Sequence, residues 1–432
     1  MVPGHNKQSA DGASVNGAGW LCGAVRAGFP DERISLVLLN AEGGTEVPET
    51  SCRSALRYSK IPAVTFVYLL IIAALIGGPL GLLRYQRRSF LLRAVPKGFD
   101  PVRYGLAPSA SLDPREAGPS LPHGDADGRS AVIEAAWKGD WKPAAAYVEG
   151  AGQDYDERWS RTQLLQQLAD RTPEWLDAWI QAQPQNGDAL SVHASLLVHQ
   201  AWAARGSGYA NQLSAQNKAA FKQMLPDAYK AAQRASLAAP EHPGPWLVMI
   251  TAARGLNTSH DEFRNLWTQL VARAPYHYDG HWQALQYWCA KWHGSRELML
   301  RFATAAVRNA PPGSPLAGIY LHALDELIER NNRVNGTKVA RITSWSAASR
   351  TTLLEAARSL DQVVEDDGQV QRLRHKLAFY LCNARHYDAA LDQFRRLGPW
   401  CGAEPWTEHT NSVAAFELAR ATAAIRSAAG PI

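Results

Sequence analysis

Twenty-three consecutive residues without a charge, Ile61 to Leu83, divide this chain into parts that fold in different surroundings. At about 1.5 Å per residue such a run reaches roughly 34 Å as a helix, enough for a hydrocarbon core of about 30 Å. Basic clusters bracket the run and no polar face interrupts it, so it is read as a single transmembrane helix and not as a buried core helix. Pro62 suits the first turn, whereas Gly77, Gly78 and Pro79 bend or loosen the last third. Gly77 and Gly81 have the spacing that lets two membrane helices approach closely, so a homodimer through that face is an expectation. Arg53, Arg57 and Lys60 precede the run, and Arg84, Arg87, Arg88, Arg93, Lys97 and Arg103 follow it. The excess of cations on the C-terminal side predicts that this side stays in the cytoplasm.

The flanking segments have different compositions. Residues 1–60 are rich in Gly, Ser, Ala and Glu and read as a flexible N-terminal tail, without the pattern of a cleavable signal peptide. Residues 84–128 form a basic flank and a linker in which Pro96, Pro101, Pro108, Pro114, Pro119 and Pro122 prevent a helix and favour an extended spacer. Residues 129–427 are helical in pattern nearly throughout. Leu164, Leu165 and Leu168, and Trp175, Leu176 and Trp179, recur at helical spacing. All but Trp20 of the fifteen tryptophans fall in this part, and no sustained strand alternation appears. The predicted fold is all-α.

The helices also repeat. Ala-Pro or Ala-x-Pro breaks end helical runs at Pro240, Pro275 and Pro311, at intervals near those of helix-hairpin repeats. Tetratricopeptide-type hairpins place a small residue at the turn, an aromatic at the start of the second helix, then a small and a bulky apolar residue. Gly139, Trp141, Ala144 and Val148 fit that spacing, as do Tyr387, Ala390 and Phe394; Asp261, Phe263, Leu266 and Leu270 fit more loosely. The reading is a degenerate tetratricopeptide-like helical-hairpin solenoid. A stretch between Arg205 and Leu225 breaks a strict period.

Net charge and cysteines narrow the functions. Lys and Arg number 45 against 40 Asp and Glu, a net charge of +5 with no concentrated basic block outside the apolar flanks, which argues against nucleic acid as a partner. Cys22, Cys52, Cys289, Cys382 and Cys401 form no C-x-x-C pair and no disulfide framework, which points to a reducing compartment for the large domain.

The segments AWAARGSGYANQLS (201–214), HPGPW (242–246), AKWHGS (290–295) and APPGSPL (310–316) resemble a bacterial family known as the domain of unknown function numbered 4034, over roughly residues 137–329. Where members of that family carry Gly after the Lys-Trp pair, this chain has His293. The resemblance implies an uncharacterised helical domain of bacteria, and with the apolar run it implies a single-pass protein of the bacterial inner membrane. It implies no reaction and no site residues.

The stretch from Tyr276 to Ser295 is the densest in chemistry. His277 and His281, and Cys289 and His293, stand four apart, a spacing at which two ligands share a helix face. On one continuous helix His277 and His293 would lie about 24 Å apart, so a shared metal would need a helix break near Lys291 to Gly294 or ligands from elsewhere. The same stretch holds Tyr278, Trp282, Trp288 and Trp292, candidate anchors for a protein or peptide in a solenoid groove. Phosphate-loop, dinucleotide, zinc-protease and nucleophile-elbow patterns are absent. Glu365, Asp366 and Asp367 read as solvated acids, and Asn335-Gly336-Thr337 as an unused glycosylation sequence. The expected function is therefore a membrane-anchored interaction module without a cofactor. The alternative is a metal-assisted enzyme centred on His277, His281 and His293.

Overall fold

A computed structural model describes residues 90–119, 126–206, 208, 211–335, 342, 345–364 and 368–431. The apolar run 61–83 with Gly77 and Gly81, the tail, the acids 365–367 and Gly336-Thr337 lie outside the described residues. Among the described residues no helix is long and apolar enough to cross a membrane.

The described chain is all-α, without a strand. Its helices are α1 (Ala126–Trp137), α2 (Lys142–Glu149), α3 (Tyr155–Ala169), α4 (Glu174–Ala182), α5 (Gly187–Arg205), α6 (Ala215–Ala238), α7 (Gly244–Ala253), α8 (His260–Arg273), α9 (Tyr278–Trp288) and α10 (Arg296–Asn309). They continue with α11 (Ile319–Asn335), α12 (Ala347–Leu360), α13 (Gly368–Ala384), α14 (Tyr387–Leu397) and α15 (Ser412–Arg426). Starts are set locally. Asp154, Asn186, Ser214, Ser295, Ser346 and Asn411 each accept a backbone N–H of the first turn, and Ser259 forms a reciprocal capping box with Glu262. Stops are set by the alanine-proline breaks. α6, α8 and α10 end immediately before Ala239, Ala274 and Ala310, whose backbones leave the helical region ahead of Pro240, Pro275 and Pro311.

Most helices pack on their sequence neighbours, α5 on α6 most extensively among the described residues. In addition, every successive pair of odd-numbered helices from α3 to α15 is in contact, as α3 with α5, α7 with α9 and α13 with α15. Of the even-numbered helices, α10 and α12 also meet. Three hairpins coincide with the sequence spacings. Gly139 (φ +77°) turns α1 into α2, Asn257 (φ +54°) lies between α7 and α8, and Arg385 (φ +65°) between α13 and α14. Ala144, Val148, Phe263, Leu270, Ala390 and Phe394 behind those turns have no exposed surface. Of the stretch after Arg205 that breaks the period, the residues from Ala215 form the first turns of the long helix α6, whose pairing with α5 is the most extensive helix contact among the described residues.

The proline-punctuated segment differs from expectation. Over its described residues 90–119 no α-helix forms, and the local structure there is 3-10 turns at Pro101–Tyr104 and Ser109–Ser111. It does not stand off as a spacer, however. Residues 90–119 cross α13, α14 and α15 with their backbone paired: Leu92 N–H donates to Thr422 Oγ1, Arg420 to the Ala107 carbonyl, Arg395 to the Tyr104 carbonyl and Tyr387 to the Phe90 carbonyl. Asp113 and Trp400 pair as an isolated bridge. An extended backbone unable to bond to itself finds donors on long side chains, and Leu106 is buried beneath it.

His375 ties this segment to the core. Its Nε2–H donates to the Ala117 carbonyl at 2.7 Å, and its Nδ1 accepts from Trp406 Nε1 at 3.0 Å, which fixes a neutral tautomer. Burial pushes the imidazoles of His277, His281 and His375 down to about 4. An unfolded chain takes up these protons near pH 6.5, so their contribution is complete above that value and is lost as pH falls toward 4. We expect the unfolding midpoint in urea to fall between pH 7 and 5, and His375→Gln, which keeps one donor and one acceptor, to flatten that slope. An unchanged slope in His375→Gln would contradict a neutral, buried His375.

Candidate functional site

The aromatic stretch singled out in the sequence is helix α9 and the turn that follows it. His277 caps the helix, with its Nδ1 facing Gly280 N at 3.4 Å and Asp156 Oδ1 at 3.1 Å, while Asp156 Oδ1 also accepts from Tyr278 N at 2.9 Å. His281 Nδ1 donates to the His277 carbonyl at 2.9 Å, and its ring meets Trp267 edge-on at 4.8 Å. The Cys289 thiol lies 3.3 Å from both the Leu285 carbonyl and Met299 Sδ. His293 Nε2–H donates to the Arg254 carbonyl at 2.7 Å, and the His293 carbonyl accepts from His260 Nε2 at 2.7 Å. The four residues considered as metal ligands thus fix the two ends of α9. Among the described residues no three His, Cys, Asp or Glu side chains converge on a metal position.

The four aromatic anchors separate into two groups. Tyr278 and Trp288 are core residues, 5 % and 9 % exposed, which corrects their assignment to a groove surface. Tyr278 reaches His322 Nε2 through its hydroxyl at 2.9 Å, and Trp288 packs edge-on to Phe263 at 5.4 Å. Both lie on the side of α9 that faces the neighbouring helices, and such large apolar areas are worth most when removed from water. Trp282 and Trp292 are half-buried.

Helix α9 stops at Trp288 because Cys289 turns to extended geometry (ψ 148°). The chain then folds back: Trp292 N–H and Gly294 N–H both donate to the Cys289 carbonyl, at 3.0 and 3.2 Å. A Cβ at position 294 would collide with the Trp288 backbone, so only glycine permits this return. The return lays Trp292 edge-on against Trp202 of α5, ring centres 5.4 Å apart, and Trp202 also packs on Phe221 of α6 at 4.8 Å. Two guanidinium groups lie over these rings. Arg254, at the end of α7, is 4.6 Å from the Trp202 ring and 5.6 Å from that of Trp292. Arg205 is 5.6 Å and 5.2 Å from the same two rings. Such stacking is worth about 0.5–2 kcal/mol per contact, most where water is excluded. The arginines and Phe221 were not singled out in the sequence.

On the other side of the same turn, a cavity of about 260 Å³ is lined by Cys289, Lys291, Arg296, Met299 and Glu326 among others. A polar strip continues from there across the odd-numbered helices. Glu326 accepts from Lys291 Nζ at 2.6 Å and from Gln286 Nε2 at 3.0 Å. Lys376 bridges Asp325 and Glu404 at 2.7 and 2.9 Å, and the Tyr380 hydroxyl donates to Asp325. Burial pushes the Asp325 carboxyl up, but His322, Lys376 and Tyr380 outweigh it and hold the group below its usual value.

A second charged knot joins α3, α5 and the loop before α7. Arg158 grips Asp188 with two bonds, Nε at 2.9 Å and an Nη at 2.7 Å, and His242 Nε2 lies 3.0 Å from Asp188 Oδ1. Burial works to raise the Asp188 carboxyl, yet His242 and Arg158 together bring it to about 2.

No family model, curated protein or solved structure matches the chain.

Asp188→Asn leaves the half-buried Arg158 without its counter-charge, and we expect a loss of about 3–5 kcal/mol in unfolding free energy measured by urea titration at pH 7. A loss below about 1 kcal/mol would show that the knot behaves as a surface pair.

Proposed function

We propose that the helical domain is a degenerate tetratricopeptide-like solenoid that recruits a protein or peptide, and that the run 61–83 anchors it to a membrane with the domain on the cytoplasmic side. The observation that carries this reading is the continuous contact among odd-numbered helices. In hairpin arrays the row of first helices lines one face, and that face receives extended or helical ligands. The polar contacts of α9 with α11 support it: Tyr278 meets His322 and Gln286 meets Glu326, one turn on either side of Trp282, which keeps part of its surface exposed. An aromatic anchor ringed by charged groups is the usual chemistry of a protein-binding centre. The likeness to the bacterial family belongs to the same proposal and adds only that the domain is bacterial.

A photo-crosslinking side chain at position 282 of the full-length chain, expressed in a bacterial host, tests the reading. The expected result is an adduct of defined mass at position 282 that is lost with Lys376→Glu and absent when the crosslinker replaces Leu237, which is 81 % exposed on the even-numbered row. Equal labelling at both positions, or labelling at neither, contradicts it.

A further inference from the structure

Arg254 is 8 % exposed, yet its Nε finds no acceptor, and no salt bridge to a carboxylate is seen for its guanidinium among the described residues. Its Nε is buried without an acceptor, and so is the Nε1–H of Trp202, the ring it covers. Among the described residues, Arg205 over the same rings bonds through Nη to the Gly206 and Gly208 carbonyls. The acid that acts on Arg254 electrostatically is Glu326, and that carboxylate is already committed to Lys291 and Gln286. Burial lowers the Arg254 guanidinium to about 10, so it keeps its charge at neutral pH.

A buried charge without a partner is costly, and buried donors without acceptors are rare in folded proteins. Here two orphan donors and two guanidinium groups share one pair of indole rings. What the cluster lacks is an acceptor that brings negative charge. We propose that Trp202, Arg205, Arg254 and Trp292 form a binding site for a doubly charged oxyanion, a phosphate monoester or a dicarboxylate. Acceptor-only oxygens satisfy Arg254 Nε and Trp202 Nε1, and the second negative charge balances Arg205. The site is built from the end of α5, the first turns of α6, the end of α7 and the turn after α9. Gly255 supports it, since a Cβ there would strike Phe221 and Leu225 and push α6 away. This site is separate from the strip around Trp282, and either can fail without the other.

Thermal unfolding of the full-length chain in detergent tests the proposal, with sodium phosphate, sodium succinate and sodium chloride compared at equal ionic strength. Tenfold excess over Kd of the matching anion is expected to raise the midpoint by roughly 2–4 °C relative to chloride. A response to phosphate alone assigns a phosphate ester, and a response to succinate assigns a dicarboxylate. Phosphate also stabilises proteins non-specifically, so the deciding quantity is the rise that Arg254→Met removes. Without anion, Arg254→Met should melt at or above the native chain, because replacing an unpaired buried charge by a chain of similar shape relieves its desolvation. Trp202→Phe keeps the ring, loses the donor and should weaken anion binding about tenfold. The proposal is overturned if neither anion shifts the native chain relative to chloride, or if Arg254→Met and the native chain respond equally.

Discussion

Close approach of helix backbones through alanine and glycine is the constraint on which the rest of this molecule depends. Ala194 and Ala201 on α5 share one core with the buried Ala228, Ala231 and Ala232 on α6 and with Ala252 and Ala253 on α7. Gly187 leaves no room for a Cβ against Ala239, nor Gly318 against Leu373. With small residues at the crossings, large side chains fill the spaces between helix pairs. Trp175 and Trp179 stack within α4, Phe263 of α8 lies flat on Tyr287 of α9 at 3.6 Å, and Trp406, Phe394 and Phe416 pack together near the C-terminal helices α14 and α15. Packing density then comes from pairing small with large, as in any well-ordered interior.

Much of this was legible in the sequence because its causes are local. A proline restricts the residue before it and donates nothing to the ladder, so the ends of α6, α8 and α10 are legible at Pro240, Pro275 and Pro311, although α6 accommodates Pro226 in its interior. The hairpins around Gly139, Phe263 and Phe394 follow from a small or polar turn residue (Gly139, Asn257 and Arg385) and an apolar face at helical spacing. Periodicity does not say which helix covers which face, so the sequence offers Tyr278 and Trp288 as groove candidates as readily as Trp282 and Trp292, although neighbouring helices bury the first two. The segment 90–119 was unreadable for a different reason. Its bonds run from backbone carbonyls to arginine, histidine and tyrosine side chains some 260–340 residues away, and no local pattern encodes them.

The candidate site shows the same division. The importance of the stretch Tyr276–Ser295 was visible in its composition, but its histidines and cysteine serve to end and orient one helix. The cation-aromatic cluster is assembled from residues about 90 positions apart, Trp202 to Trp292, with Arg254 between them. Its arginines carry no sequence signature of burial, because an arginine at the end of a helix ordinarily faces water and complements the helix dipole. Only the fold reveals that both guanidinium groups are stacked on indoles without an acid.

Arg254 therefore marks the point at which structural and functional demands part. Stacking between two tryptophans accounts for its position, but not for the buried Nε that faces no acceptor. A crystal structure of the full-length chain grown in phosphate, compared with one grown without it, tests this most directly. The account predicts an anion oxygen within about 3.2 Å of both Arg254 Nε and Trp202 Nε1 in the first structure only. Water at both donors in both structures, or a side-chain carboxylate seated between them, would contradict it.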